Sequence, residues 1–114
     1  MTMANAVRYH DGAAVLDLPA QIDHSAEPAL KQAYTVAADH GATTLVLNFS
    51  GVEFLSSTGI ALIVGILARA RKERRTIRAT GLSDHYREIF EITRLADFMT
   101  IYADENAALE GGER

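Results

Sequence analysis

Three hydroxyl side chains and a glycine in a row, Ser56-Ser57-Thr58-Gly59, are the residues of this 114-residue chain best placed to do chemistry. They stand directly ahead of a proline-free stretch, Ile60 to Arg75, that is apolar round most of its circumference as far as Ala68 and polar only in its last two turns. That pattern predicts a helix whose first half is buried. A side-chain oxygen just before such a helix accepts hydrogen bonds from first-turn N–H groups that have no partner inside the helix, and either Ser56 or Ser57 suits the role. Capping is the commonest use of serine at that place. A hydroxyl beyond the cap is a candidate nucleophile held at the positive end of a helix dipole.

Nucleophilic catalysis needs more than the hydroxyl. The G-x-S-x-G elbow of hydrolases requires glycine two residues before the serine, and Leu55 holds that position for Ser57. No G-x-x-x-x-G-K-[ST] run offers a nucleotide site. His10, His24, His40 and His85 are scattered without metal-ligand spacing, and there is no cysteine for a disulfide or a thiolate. A chain of this length leaves little room for a substrate cleft. The expectation is therefore no catalytic residue, no metal and no cofactor.

Composition narrows the class further. A content of 48% hydrophobic and 23% charged residues suits one small globular domain, 1–114 with its core at about 5–110, folding as a monomer or weak dimer. The longest unbroken apolar run, Ile60 to Ala68, is too short to span a bilayer, and no secretory leader pattern opens the chain. A cytoplasmic location without membrane insertion is expected. A net charge of −4 argues against direct nucleic-acid binding, which draws its affinity from phosphate neutralisation. The charge is uneven, however. Arg69, Arg71, Lys72, Arg74, Arg75 and Arg78 are six of the 11 basic residues. They either complement a helix C-terminus and face water or receive an acidic partner.

The elements that position the hydroxyls follow from periodicity and turn residues. Thr43 to Phe49, β-branched and apolar between Gly41 and Ser50-Gly51, predicts a buried strand leading into the hydroxyl cluster. Upstream, Ala6 to Tyr9 and Ala13 to Leu18 flank Asp11-Gly12 and predict a β-hairpin, with Ala14, Leu16 and Leu18 facing the core. Ala20 to His24 reads as a loop. Ser25 to Asp39 reads as a helix with Ser25 as a cap candidate and Pro28 in its first turns. Downstream come a strand at Thr76 to Thr80, a helix capped by Ser83 with Tyr86 and Phe90 packed inward, a strand at Phe98 to Tyr102 and a short helix at Asp104 to Leu109. Gly111 to Arg114 is expected to fray. Ala61, Gly65 and Ala68, at i, i+4 and i+7, are expected to let the central helix lie close to a neighbour. Alternating strands and helices give an α/β fold with parallel pairing over the third to fifth strands and a mixed sheet opened by the hairpin.

The string Val46-Leu47-Asn48-Phe49, Val52-Glu53-Phe54-Leu55, Ser56-Ser57-Thr58-Gly59-Ile60 resembles the signature of the STAS domain, in particular bacterial anti-sigma factor antagonists. In that family an Asp-Ser-Ser-Gly-Leu or Asp-Ser-Thr-Gly-Leu segment opens a helix and carries a regulatory phosphoacceptor. Ala20-Gln21-Ile22-Asp23-His24 resembles the family's Gly-Glu-Leu/Ile-Asp segment, and Ile89-Phe90-Glu91-Ile92-Thr93-Arg94-Leu95 its Leu-Phe-x-x-x-Gly-Leu. The likeness thus covers nearly the whole chain. It departs at Ser56, where the family has aspartate, and at Arg94, where it has glycine.

The resemblance implies a STAS-like domain with helices gathered on one sheet face, and it sets the Gln21-Ile22-Asp23-His24 loop beside the start of the central helix. It implies phosphate acceptance at Ser57 or Thr58, with Ser57 preferred. Asp23, Ser56 and Gly59 then shape the site, and Gln21, His24 and Ile60 meet a partner. Asp23 is equally suited to cap the helix near Ser25. A Ser57, His24 and Asp23 grouping becomes conceivable in that arrangement, without a cleft to serve. The implied partners are an anti-sigma factor of the serine/threonine-kinase type and a phosphatase. The alternative is a non-phosphorylated STAS subunit of a membrane transport or stress-sensing assembly, to which the neutral Ser56 lends weight.

Overall fold

The computed structural model describes residues 6–110, so the tail Gly111 to Arg114, expected to fray, lies outside the described residues. Asp11 and Gly12 both have positive φ, +47° and +83°, as a two-residue primed turn demands. They fold strand β1 (Ala6–His10) back antiparallel on β2 (Ala13–Asp17). The chain continues through β3 (Gln21–Ile22), a 3-10 turn at His24–Ala26, α1 (Glu27–Asp39), β4 (Thr44–Asn48), β5 (Phe54–Leu55) and α2 (Ser57–Lys72). It closes with β6 (Thr76–Thr80), α3 (Asp84–Ile92), a second 3-10 turn at Leu95–Asp97, β7 (Thr100–Tyr102) and α4 (Glu105–Glu110). The main sheet has the order β1-β2-β4-β6-β7, antiparallel only at β1, so parallel pairing begins one strand earlier than the third.

Both faces of the middle strands are covered, which is why their sequences run apolar instead of alternating. On one face Ala14, Leu16, Leu45, Leu47, Ile77 and Ala79 form the principal core with Leu30, Tyr34, Ile63, Leu67 and Phe90 from α1, α2 and α3. Phe90 is fully buried and meets Phe49 edge to face, ring centroids 5.6 Å apart. Three helices are thus gathered on one face as expected. The short α4 lies on the other, where Ala108 covers Val15 and Val46. Arg78 belongs to that second face, in register with Val46, and its Nη1 donates to the Ala108 carbonyl at 2.8 Å. A cation inside a strand is accommodated because its head satisfies a carbonyl of the helix covering that face while its aliphatic stem lies between helix and sheet.

Several boundaries differ from the sequence-based expectation, each for a local reason. The first long helix starts at Glu27 and not at Ser25, because Asp23 caps a separate 3-10 turn and Ser25 caps nothing. The last strand starts at Thr100 and not at Phe98, because Leu95–Asp97 turns first. Ala61, Gly65 and Ala68 are exposed, and a Cβ on Gly65 would meet nothing within 4 Å, so the expected close neighbour of that stripe is not there. Ile63, Ile66, Leu67 and Ala70 make the buried face of α2 instead.

The basic cluster after Ala68 divides in two. Glu73 accepts from the Tyr34 hydroxyl at 2.8 Å, from Arg75 Nε at 3.1 Å and from Arg69 Nε at 3.1 Å, while the Arg69 guanidinium lies over the Tyr34 ring and Arg75 also donates to the Ala42 carbonyl. This knot joins α1 to the C-terminus of α2. Its donors hold the Glu73 carboxyl down to about 2, and burial with the Glu73 contact pushes the Tyr34 hydroxyl up to about 12. Arg71, Lys72 and Arg74 have no acidic partner among the described residues.

A carboxylate whose folded pKa lies below its unfolded value stabilises the fold above about pH 4.5, and that contribution drains away as pH falls towards about 2. Glu73→Gln removes it, so urea unfolding at about pH 5 and about pH 3 should show a shallower loss of stability than in the parent; an identical loss would mean the knot does not titrate with folding. Arg94 follows α3 with φ +69°, a left-handed position that glycine occupies without strain. Arg94→Gly should raise stability by about 0.5–1 kcal/mol despite losing the exposed Asp97 ion pair. A lower urea midpoint would refute this.

Candidate functional site

The site is built where the segments leaving β2 and β4 emerge side by side. These segments pair as the two-residue parallel strands β3 and β5, with Gln21 opposite Phe54 and Ile22 opposite Leu55. The Ala20 carbonyl accepts from Glu53 N at 2.7 Å and Phe54 N at 3.0 Å, and the Ile22 carbonyl accepts from Ser56 N at 3.0 Å. Strands this short are invisible as alternation, which is why Ala20 to His24 reads as loop. Tyr86 of α3 completes the seam, its hydroxyl accepting from Leu55 N at 3.1 Å.

Ser56 is the residue that caps α2. Its backbone is extended, and its Oγ accepts from Gly59 N at 3.0 Å while its carbonyl accepts the first helical bond from Ile60 N. Ser57 and Thr58 are therefore the first two helical residues. Both are exposed, and among the described residues neither hydroxyl has a hydrogen-bond partner. Gly59 is buried against the β3 backbone. A Cβ there would stand 1.9 Å from the Ile22 carbonyl oxygen and 2.8 Å from its carbon, closer than real contacts permit.

Asp23 follows Ile22 and so lies beside that same helix start. Its Oδ1 accepts from Ser25 N at 2.9 Å and Ser25 Oγ at 2.5 Å, capping the 3-10 turn that packs against α2. Those two donors hold the carboxyl below the usual carboxylate range. Gln21 and His24 are exposed and Ile60 is half-buried. The structure thus gathers Gln21, Asp23, His24, Ser56, Ser57, Thr58, Gly59 and Ile60 at one end of α2. It assembles no relay among Ser57, His24 and Asp23: no hydrogen bond among the described residues joins them. Among the described residues no His, Asp or Glu cluster is arranged to hold a metal, and no helix is long and apolar enough to cross a membrane.

Two residues outside the expected set belong to the same surface. Phe54, 49% exposed, stands in register with Gln21 and presents an aromatic ring on the strand that leads into the hydroxyls. The signal was available, since Leu55 points inward and a strand neighbour must point outward. Tyr86 gave no such signal, because an inward aromatic on a helix reads as core until its hydroxyl is located. Chemically, the arrangement offers one used oxygen at Ser56 and two that no described residue engages at the helix N-terminus, where free N–H groups and the dipole favour an added anion.

Glycine substitutions separate contact from propensity. Gly59→Ala should lower stability by about 3 kcal/mol or more, because a rigid backbone carbonyl must move. Gly65→Ala on the open face of the same helix should raise it by about 0.5–1 kcal/mol. Equal effects in urea unfolding would show that the approach at Ile22 is not tight.

A family model described as Mlab, STAS domain, matches residues 5–101. The anti-sigma-B factor antagonist of Staphylococcus aureus is 30% identical over 81 residues, covering 71% of this chain and 75% of that protein. An anti-sigma factor antagonist from Mycobacterium paratuberculosis superposes with a TM-score of 0.77 at 25% identity, over 94% of this chain and 91% of the other. The Bacillus cell fate determinant SpoIIAA, solved in its phosphorylated form, shares the fold with a TM-score of 0.73 at 23% identity, over 96% and 100% of the two chains.

Proposed function

The chain belongs to the STAS family of anti-sigma factor antagonists, and from that membership we propose that it is a partner-switching module controlled by phosphate on Ser57. Unphosphorylated, it binds an anti-sigma factor of the serine/threonine-kinase type and so frees a sigma factor; a phosphatase restores this state. The observation that carries the reading is the division of labour among the three hydroxyls. Ser56 Oγ is occupied as the cap, whereas Ser57 and Thr58 are exposed and have no hydrogen-bond partner among the described residues. Ser57 is the preferred acceptor and Thr58 the other candidate.

The switch is electrostatic. Phosphate adds roughly −1.5 to −2 charges to a surface that also presents Phe54, Gln21, His24 and Ile60. The helix N-terminus tolerates the anion through its free amides. A partner surface docked over Phe54 cannot, unless it supplies a cation. Serine at position 56 keeps the capping oxygen that aspartate would provide, so the departure from the family motif removes a charge and leaves the helix start intact.

Incubation with the cognate kinase and ATP, followed by mass spectrometry, should place one phosphate on Ser57 or Thr58 and none on Ser56. Ser57→Ala should abolish most of it. Ser56→Ala should keep the acceptor while costing about 1 kcal/mol of stability as a lost cap. Ser57→Asp should weaken anti-sigma binding by about tenfold or more with the fold intact. Phosphate on Ser56, or none on any of the three with an active kinase, would favour a constitutive STAS subunit of a membrane transport or stress-sensing assembly.

A further inference from the structure

We propose that the groove between α2 and the Leu95–Asp97 turn docks an acidic amphipathic helix of a partner protein, independently of the phosphate switch. Its floor and one wall come from Val64, Leu67, Ala68 and Arg71, which at i, i+3, i+4 and i+7 share one helix face; Leu95 and Phe98 form the other wall. The groove encloses about 310 Å³. Val64 and Phe98 are left 43% and 53% exposed, so a large apolar surface faces water.

Charge selects the occupant. Arg71 stands 5.7 Å from the centre of the Phe98 ring and also borders an adjoining hollow of about 360 Å³ that includes Arg75, Thr76 and Asp97. Asp97 is held by Arg94 at 2.7 Å, and Arg75 is committed to Glu73. Arg71 has no acidic partner among the described residues, nor do Lys72 and Arg74 just after it. An apolar floor bordered by the unneutralised Arg71 complements a helix carrying leucine-like side chains on one stripe and carboxylates beside it. A second copy is a poor fit, because the groove lining carries Arg71 and no carboxylate, so a two-fold contact would bring a cation from each copy to the shared patch and no anion to meet it. A lipid surface is a poor fit too, because the apolar side chains line a hollow instead of projecting from the surface.

The probe is a fluorescein-labelled leucine-striped peptide of about 15 residues with glutamate at the remaining positions, compared with a twin carrying lysine for glutamate. The glutamate peptide should bind at least about tenfold more tightly than the twin, with amide shifts centred on Val64, Ala68, Arg71 and Phe98. Arg71→Glu should weaken the glutamate peptide by about tenfold and strengthen the lysine twin, and Phe98→Ser should weaken both. Ser57→Asp should leave the affinity within about twofold. Both groove side chains are exposed, so the variants' unfolding midpoints should match the parent; if Arg71→Glu does not fold, Arg71→Gln with a smaller loss takes its place. The proposal fails if the two peptides bind alike, if neither groove substitution matters, or if no binding is seen. It also fails if phosphatidylglycerol vesicles compete for the groove more strongly than the peptide, or if the groove substitutions abolish a dimer of the chain.

Discussion

The approach of the α2 N-terminus to the Ile22 carbonyl is the constraint on which the rest of the site depends. At that point a helix start and a strand end pack backbone against backbone, with Gly59 providing the room. The consequence runs both ways along the chain. Ser56 N and Gly59 are tied to one peptide group, so the cap, the first helical hydroxyl and the carboxylate that follows Ile22 have little freedom relative to one another. A larger residue at position 59 would pry the seam apart and move every member of the site at once. The glycine therefore sets the distance between two elements and carries no chemistry of its own.

Topology explains why the seam exists. β2 and β4 are parallel neighbours, so the segments that leave them emerge at the same edge of the sheet, where ligand sites of parallel sheets gather. Two residues of further pairing, β3 with β5, are enough to bring them into register before each enters a helix. A similar approach occurs next door: a Cβ on Gly81, which ends β6 at φ +80°, would stand 2.5 Å from Ser50 N. Close backbone packing at this edge leaves the hydroxyl-bearing turn with few alternative conformations.

The sequence made much of this legible. The hairpin, the buried β4, the half-buried central helix and the order of elements follow from turn residues and periodicity, because those signals extend over five residues or more. The hydroxyl cluster was readable as a helix start, but the choice between Ser56 and Ser57 as cap was not, since both spacings place an oxygen near first-turn amides. The β3–β5 pairing escaped because two residues carry no period. Arg78 and α4 illustrate another limit: a face covered by a short helix from 30 residues away leaves no local trace except an apolar strand without alternation. The small-residue stripe on α2 misled in the opposite direction, because Ala61, Gly65 and Ala68 look like a packing seam and face water.

One helix carries opposite business at its two ends. α2 begins with two exposed hydroxyls and finishes among arginines, its 16 residues spanning roughly 24 Å at about 1.5 Å per residue. At physiological ionic strength the screening length is about 8 Å, so a charge placed at one end has decayed through about three such lengths before reaching the other. Through solvent, the two termini are electrostatic strangers. Whatever is written at the serine end is not read at the arginine end, and a single rigid rod can address two contacts without crosstalk.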